Sequence, residues 1–149
     1  MTTRARLQAV ADRIPLPEET LVGMLVAMLT QRVQPLRLAD RVRPAGLVIA
    51  AGGLTLVLAA WRERGAGSLE EPESLVTTGL HGLTRNPIYL GFTAISLGVA
   101  GATRNGWMLV TCPVSAALVH RWVLREERWL HERFGEQYDA YRTRVPRYL

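Results

Sequence analysis

The sequence predicts an all-α fold: an integral membrane helical bundle of about four transmembrane helices, with a tight hairpin between the last two and a cytosolic C-terminal helix. Three observations carry this. Hydrophobic residues make up 48% of a chain that is also 21% charged, so the apolar residues must be segregated into runs. Those runs approach the roughly 20 residues needed to cross a bilayer. The four tryptophans sit at or just beyond the ends of the runs, at Trp61, Trp107, Trp122 and Trp129, the level that indole rings prefer in a membrane. At 149 residues the chain is expected to be a single domain, 1–149.

The first segment, Leu21 to Val33, is apolar to Leu29 and then meets Gln31 and Arg32. It either spans with Arg32 snorkelling or lies in the interface. The second, Ala45 to Trp61, has 17 residues and no charge. Ser68 to Ser74, with Glu70, Glu71, Pro72 and Glu73, is a loop. The third, Ile88 to Ala102, has only 15 residues, and adding Thr84 to Pro87 lengthens it at its polar end. Its small residues Gly91, Ala94, Gly98 and Ala102 recur at helical spacing and permit close approach to a neighbouring helix. Thr103-Arg104-Asn105-Gly106 is a turn signal leading into the fourth segment, Trp107 to Leu124, of 18 residues. Pro113 is expected to disturb that helix, because it lacks an amide donor and its ring clashes with the preceding turn.

Charge sets the expected orientation. All 18 basic residues are arginine. With four spans, 13 of them fall on the side holding the amino end, the Arg62–Asn86 loop and the carboxyl tail. Five fall on the other side: Arg32, Arg37, Arg41, Arg43 and Arg104. The positive-inside rule then puts both termini in the cytoplasm, against the local weight of the four arginines after the first segment. The first twenty residues lack an apolar core, so no cleavable signal peptide is expected. A pI near 10.3 would suit nucleic acid, but no basic stripe interleaved with aromatics is present and no nucleic-acid partner is expected. Arg142, Arg144 and Arg147 in the tail read as contacts to anionic lipid.

The chain lacks nucleophile-elbow, P-loop, dinucleotide-loop and zinc-protease motifs. Cys112 is alone and reads as a small packing residue, and His81, His120 and His131 share no ligand-like spacing with carboxylates. No metal site is expected. Two polar clusters remain at the ends of apolar segments: Arg85-Asn86-Pro87-Ile88-Tyr89-Leu90-Gly91, and Glu126-Glu127 followed by Leu130, Phe134-Gly135, Tyr138 and Tyr141. Charged groups at a membrane edge point to function.

Read together, Thr78 to Gly91 and Glu126-Glu127-x-x-Leu130-x-x-x-Phe134-Gly135-x-x-Tyr138-x-x-Tyr141-Arg142 resemble the isoprenylcysteine carboxyl methyltransferase and phospholipid methyltransferase superfamily. The resemblance covers Leu75 to Val145. It implies a small integral-membrane enzyme, set among membrane lipids, that takes S-adenosylmethionine on its cytosolic side and methylates a lipophilic acceptor: an isoprenylcysteine-like carboxylate, a phospholipid amine or a small hydrophobic molecule. The expected location is a bacterial inner membrane. His81 stands where that family usually has tyrosine, and Asn86 replaces the commoner histidine, so position 86 carries no base.

Methyl transfer from this cofactor requires an anion for its amine, a cation for its carboxylate and an apolar wall for adenine. The resemblance implies His81, Arg85, Asn86, Pro87, Tyr89, Leu90, Glu126 and Glu127 as the cofactor-binding set, with Arg85 and Glu127 as the catalytic pair. Adjacent helical glutamates point about 100° apart, so one of them faces the cofactor, and Glu127 is favoured. His81 is the nearest base. Two other readings stand beside this one: an NADPH-dependent membrane reductase of the sterol-reductase type, and a non-catalytic assembly partner that keeps the fold.

Overall fold

The computed structural model describes residues 17–64 and 74–149. The acidic run at Glu70, Glu71 and Glu73 and the amino-terminal charges from Arg4 to Arg13 lie outside the described residues. Helix α1 is Glu18–Val33, α2 Arg43–Arg64, α3 Pro87–Thr103, α4 Trp107–Phe134 and α5 Glu136–Arg144. Short 3-10 turns at Asp40–Val42 and Gly79–Gly82 precede α2 and α3. Among the described residues there is no strand, only an isolated antiparallel bridge between Arg37 and Asn105.

The helix ends follow local chemistry. Glu18 and Glu19 open α1 and Arg32 lies in its last turn, which complements the helix dipole. Pro87 occupies the first turn of α3, where its missing amide costs nothing. Gly135, at φ 49°, takes a left-handed conformation that suits glycine and turns the chain from α4 into α5. Pro113 does not break α4, which runs through it as one helix of 28 residues. The glutamate pair therefore lies on α4 itself rather than past its end.

Among the described residues two stretches are long and apolar enough to cross a membrane: α2 with its preceding turn, Asp40–Arg64, and α4. The 16 residues of α1 and 17 of α3 are shorter, about 24 and 26 Å at 1.5 Å per residue, against a hydrocarbon core of about 30 Å. The outward faces are apolar: Val48 is 73% exposed, Leu47 62%, Val114 59% and Val22 57%. Small residues fill the contacts between helices instead, as in membrane bundles, where lipid is as apolar as leucine and backbone approach drives association.

The main packing is α3 on α2 and α1 on α4. A Cβ on Gly98 would fall 2.6 Å from Ala50 Cα and 2.7 Å from Ala50 Cβ, and one on Gly53 2.7 Å from Gly91 O and 2.8 Å from Ile95 N. The small-residue stripe of α3 is thus the seat of α2. Although only three residues separate α3 from α4, each packs mainly on an earlier helix. Asn105 in that connection is buried and donates from Nδ2 to Ala27 O at 3.0 Å, tying the turn to α1. Cys112 is buried, in keeping with a packing role. The end of α2, residues 74–86, the start of α3, the second half of α4, α5 and the tail gather at one end of the bundle.

Candidate functional site

At that end Glu63, in the last turn of α2, organises the 79–82 turn. Its carboxylate accepts from Leu80 N at 2.9 and 3.0 Å, His81 N at 3.4 Å and His81 Nδ1 at 3.0 Å. Gly79 sits at φ 61°, and any Cβ there would strike this carboxylate. His81 is 6% exposed, and its carbonyl accepts from Tyr141 Oη at 2.6 Å. Burial pushes the His81 imidazole below its usual pKa, outweighing the opposing pull of Glu63. The ring is therefore neutral at pH 7, with Nδ1–H donating to Glu63.

Arg85 and Glu127, 42 residues apart, meet directly. Arg85 Nε lies 3.2 Å and Nη2 3.0 Å from Glu127 Oε1. Arg147 grips the same carboxylate from the tail, Nε to Oε1 at 3.0 Å and Nη2 to Oε2 at 2.8 Å, the bidentate geometry that guanidinium favours. The side chains of Arg85 and Glu127 are 11% and 13% exposed. Main-chain bonds clamp the tail beside them. Arg85 Nη1 donates to Arg142 O at 2.9 Å and Val145 O at 3.2 Å, and Arg85 N to Pro146 O at 2.9 Å. Thr84 Oγ1 and Asn86 Nδ2 both donate to Arg147 O, at 3.0 and 3.1 Å.

Glu126 faces another way. Its Oε1 accepts from Arg64 Nη2 at 3.0 Å and its Oε2 from Tyr89 Oη at 3.2 Å. Tyr138 and Tyr141 pack under the Glu127 centre at 1% and 3% exposure. Burial raises both phenols to about 12, with a further push on Tyr138 from the Glu127 charge. Tyr138 Oη is buried with no hydrogen-bond partner among the described residues.

Of the residues expected from sequence, Arg85, Asn86, Tyr89, Glu126 and Glu127 thus converge. Pro87 is buried and starts α3, Leu90 is half-buried on that helix, and His81 contacts Glu63 rather than either α4 glutamate. Sequence reasoning missed Glu63, Arg64 and the tail. The lipid reading of Arg147 is corrected: its guanidinium is bound to Glu127. His120 Nδ1 likewise meets Tyr148 Oη at 2.9 Å, anchoring the tail on α4.

Comparison with known proteins bears on the same segment. No curated protein and no solved structure matches the chain. Residues 43–137 match the family model described as Phospholipid methyltransferase, a stretch that runs from the first residue of α2 into α5 and contains Arg64, Arg85, Tyr89 and both α4 glutamates. The chain belongs to the phospholipid methyltransferase family.

Proposed function

We propose that the chain is an S-adenosylmethionine-dependent membrane methyltransferase acting on a lipophilic acceptor, and that Glu126, Arg64 and Tyr89 form its cofactor-facing side. The observation behind this is the division of labour between adjacent glutamates. Glu127 has both oxygens taken by two guanidiniums and is nearly buried. Glu126 holds one guanidinium and one phenol and is 27% exposed, with Arg64 at 20%. Glu127 is then a brace that fixes the tail against the start of α3, and Glu126 replaces it as the carboxylate turned to the cofactor.

The donor set fits the group. Glu126 offers an anion to an α-ammonium, Arg64 a fork to a carboxylate, and Tyr89 with Leu90 a wall for an adenine. Tyr138 adds a buried hydroxyl, without a hydrogen-bond partner among the described residues, within reach of the Glu127 charge. When bound, S-adenosylmethionine supplies an electrophilic methyl group on a sulfonium. The chain's own residues hold the reactants in line at the boundary between the charged end and the apolar faces, and positioning of that kind alone can contribute about 7–11 kcal/mol. No residue of this set is required as a covalent nucleophile.

The test is calorimetry on detergent-purified protein. Saturable heat with S-adenosylmethionine is expected, weakened at least about tenfold by Glu126→Gln, since a charge-assisted hydrogen bond is worth about 1.5–3 kcal/mol, while helicity by circular dichroism is unchanged. Heat from NADPH and none from S-adenosylmethionine would refute the proposal in favour of a reductase. A tritiated-methyl transfer screen over lipid extracts then identifies the acceptor.

A further inference from the structure

At the end of the bundle away from Glu126 and Glu127, a cavity of about 470 Å³ opens between the α1–α2 connection and the end of α3, lined in part by Gln31, Arg37, Arg43, Thr103 and Arg104. We propose that this cavity binds the phosphate of an anionic phospholipid, in the leaflet opposite the methyl-transfer site.

The lining is one-sided in its chemistry. Gln31 spends its side-chain oxygen on Leu36 N at 3.0 Å, which leaves its amide N–H groups as donors. Thr103 Oγ1 already donates to Val99 O. The remaining polar groups are three guanidiniums. Arg104 is paired with Asp40 at 2.6 Å and donates from Nε to Leu38 O at 2.9 Å. Arg37 and Arg43 make no ion pair among the described residues. Asp40 is the only acid between Gln31 and Arg43 or between Ala102 and Trp107.

The backbone gathers more positive charge at this cavity than Asp40 alone neutralises. Arg43 is the first residue of α2, directly after the Asp40–Val42 turn, and Asp40 is already paired with Arg104, so the Arg43 charge lies near a helix N-terminus with no counter-ion of its own. Arg104 is the only non-glycine residue with positive φ among the described residues, at 59°. It occupies the helix-ending position that glycine normally fills, and its side chain lines the cavity there. A bound phosphate would supply the counter-charge that Asp40 alone does not, and takes bidentate bonds from guanidinium.

The position selects a lipid over a soluble anion. Leu47 and Val48, one turn into α2 from Arg43, are 62% and 73% exposed, and Val33 and Leu36 of the adjoining segment 88% and 46%. The cavity therefore lies where exposed apolar helix gives way to polar loop, the level of a phospholipid headgroup whose acyl chains run along α2.

The experiment is native mass spectrometry of the purified full chain after delipidation, with phosphatidylglycerol or phosphatidylcholine added. Phosphatidylglycerol is expected to be retained in preference. The double variant Arg37→Gln/Arg43→Gln is expected to weaken that retention by about tenfold or more, at roughly 1 kcal/mol per arginine near an anionic surface, with phosphatidylcholine unaffected. A control that removes the same charge from the other end, Arg121→Gln/Arg128→Gln, is expected to leave phosphatidylglycerol retention as in the parent, with circular dichroism reporting the fold of each. Equal losses in both double variants would reduce the effect to net charge and overturn the site. Thermal stabilisation by inorganic phosphate that vanishes in Arg37→Gln/Arg43→Gln, with no response to phosphatidylglycerol, would overturn the lipid as ligand.

Discussion

Glu127 illustrates how one carboxylate can brace the tail while its neighbour on α4 turns to a different set of partners. Four contacts from Arg85 and Arg147 converge on it. Removing it leaves Arg85 buried at 11% exposure without its counter-ion, whereas Arg147, 36% exposed, relaxes toward water. Glu127→Ala is therefore expected to lower unfolding stability by about 3 kcal/mol, read as a fall in melting temperature in one detergent. Glu126→Gln, at a more exposed pair, should cost no more than about 1 kcal/mol. His81 gives a pH dependence of known sign. Its folded pKa lies below the unfolded value near 6.5 because burial disfavours the imidazolium. The unfolded chain therefore binds more protons between the two values, and stability is full above about pH 6.5 and lost as pH falls below it, by up to about 1.4 kcal/mol per pH unit. Denaturation profiles at pH 5 to 8 should show this loss, and His81→Gln should flatten it. An unchanged profile in that variant would assign the acid sensitivity to other groups.

At the scale of the element, the α2–α3 contact is set by absent side chains. Gly98→Ala places a methyl group against Ala50, where the opposing group is backbone and cannot swing aside, so a cost of about 1–3 kcal/mol is expected. Gly52→Ala, one residue from the contact at Gly53, meets nothing within 4 Å and should be neutral or stabilise by about 0.5–1 kcal/mol through helix propensity. Parallel melting curves of the two variants separate packing from propensity. The α3 stripe was legible as spacing, because small residues four apart share a helix face. Its partner was not: the Thr103–Gly106 turn draws attention to α4, while the complementary glycines, Gly46 and Gly53, lie two turns apart on α2 beyond a long connection. The site divides in the same way. Charged side chains announce themselves, so Arg85, Glu126 and Glu127 could be singled out. The tail is held largely through main-chain carbonyls of Arg142, Val145, Pro146 and Arg147, and every residue has a carbonyl, so no side-chain pattern marks those acceptors.

For the whole molecule, the alternation of helices fixes which segments share an end of the bundle. The Arg37–Asn105 bridge joins the α1–α2 and α3–α4 connections at one end. The bonds from residues 84–86 to the tail join the α2–α3 connection and the carboxyl terminus at the other. The second end holds Arg62, Arg64, Arg85 and the seven arginines from Arg121 to Arg147, and the first holds Arg32, Arg37, Arg41, Arg43 and Arg104. By the positive-inside rule, that excess predicts that the Glu126–Glu127 end faces the cytoplasm. The prediction is read by cysteine labelling. In a Cys112→Ala background, Ser74→Cys and Arg41→Cys put single thiols on exposed positions at opposite ends. A membrane-impermeant maleimide added to spheroplasts should modify Arg41→Cys and spare Ser74→Cys, and inverted vesicles should show the reverse. Exchange of the two patterns would invert the orientation and send the charge excess outward. Labelling of both cysteines from the same side would mean that α2, despite its length, does not cross.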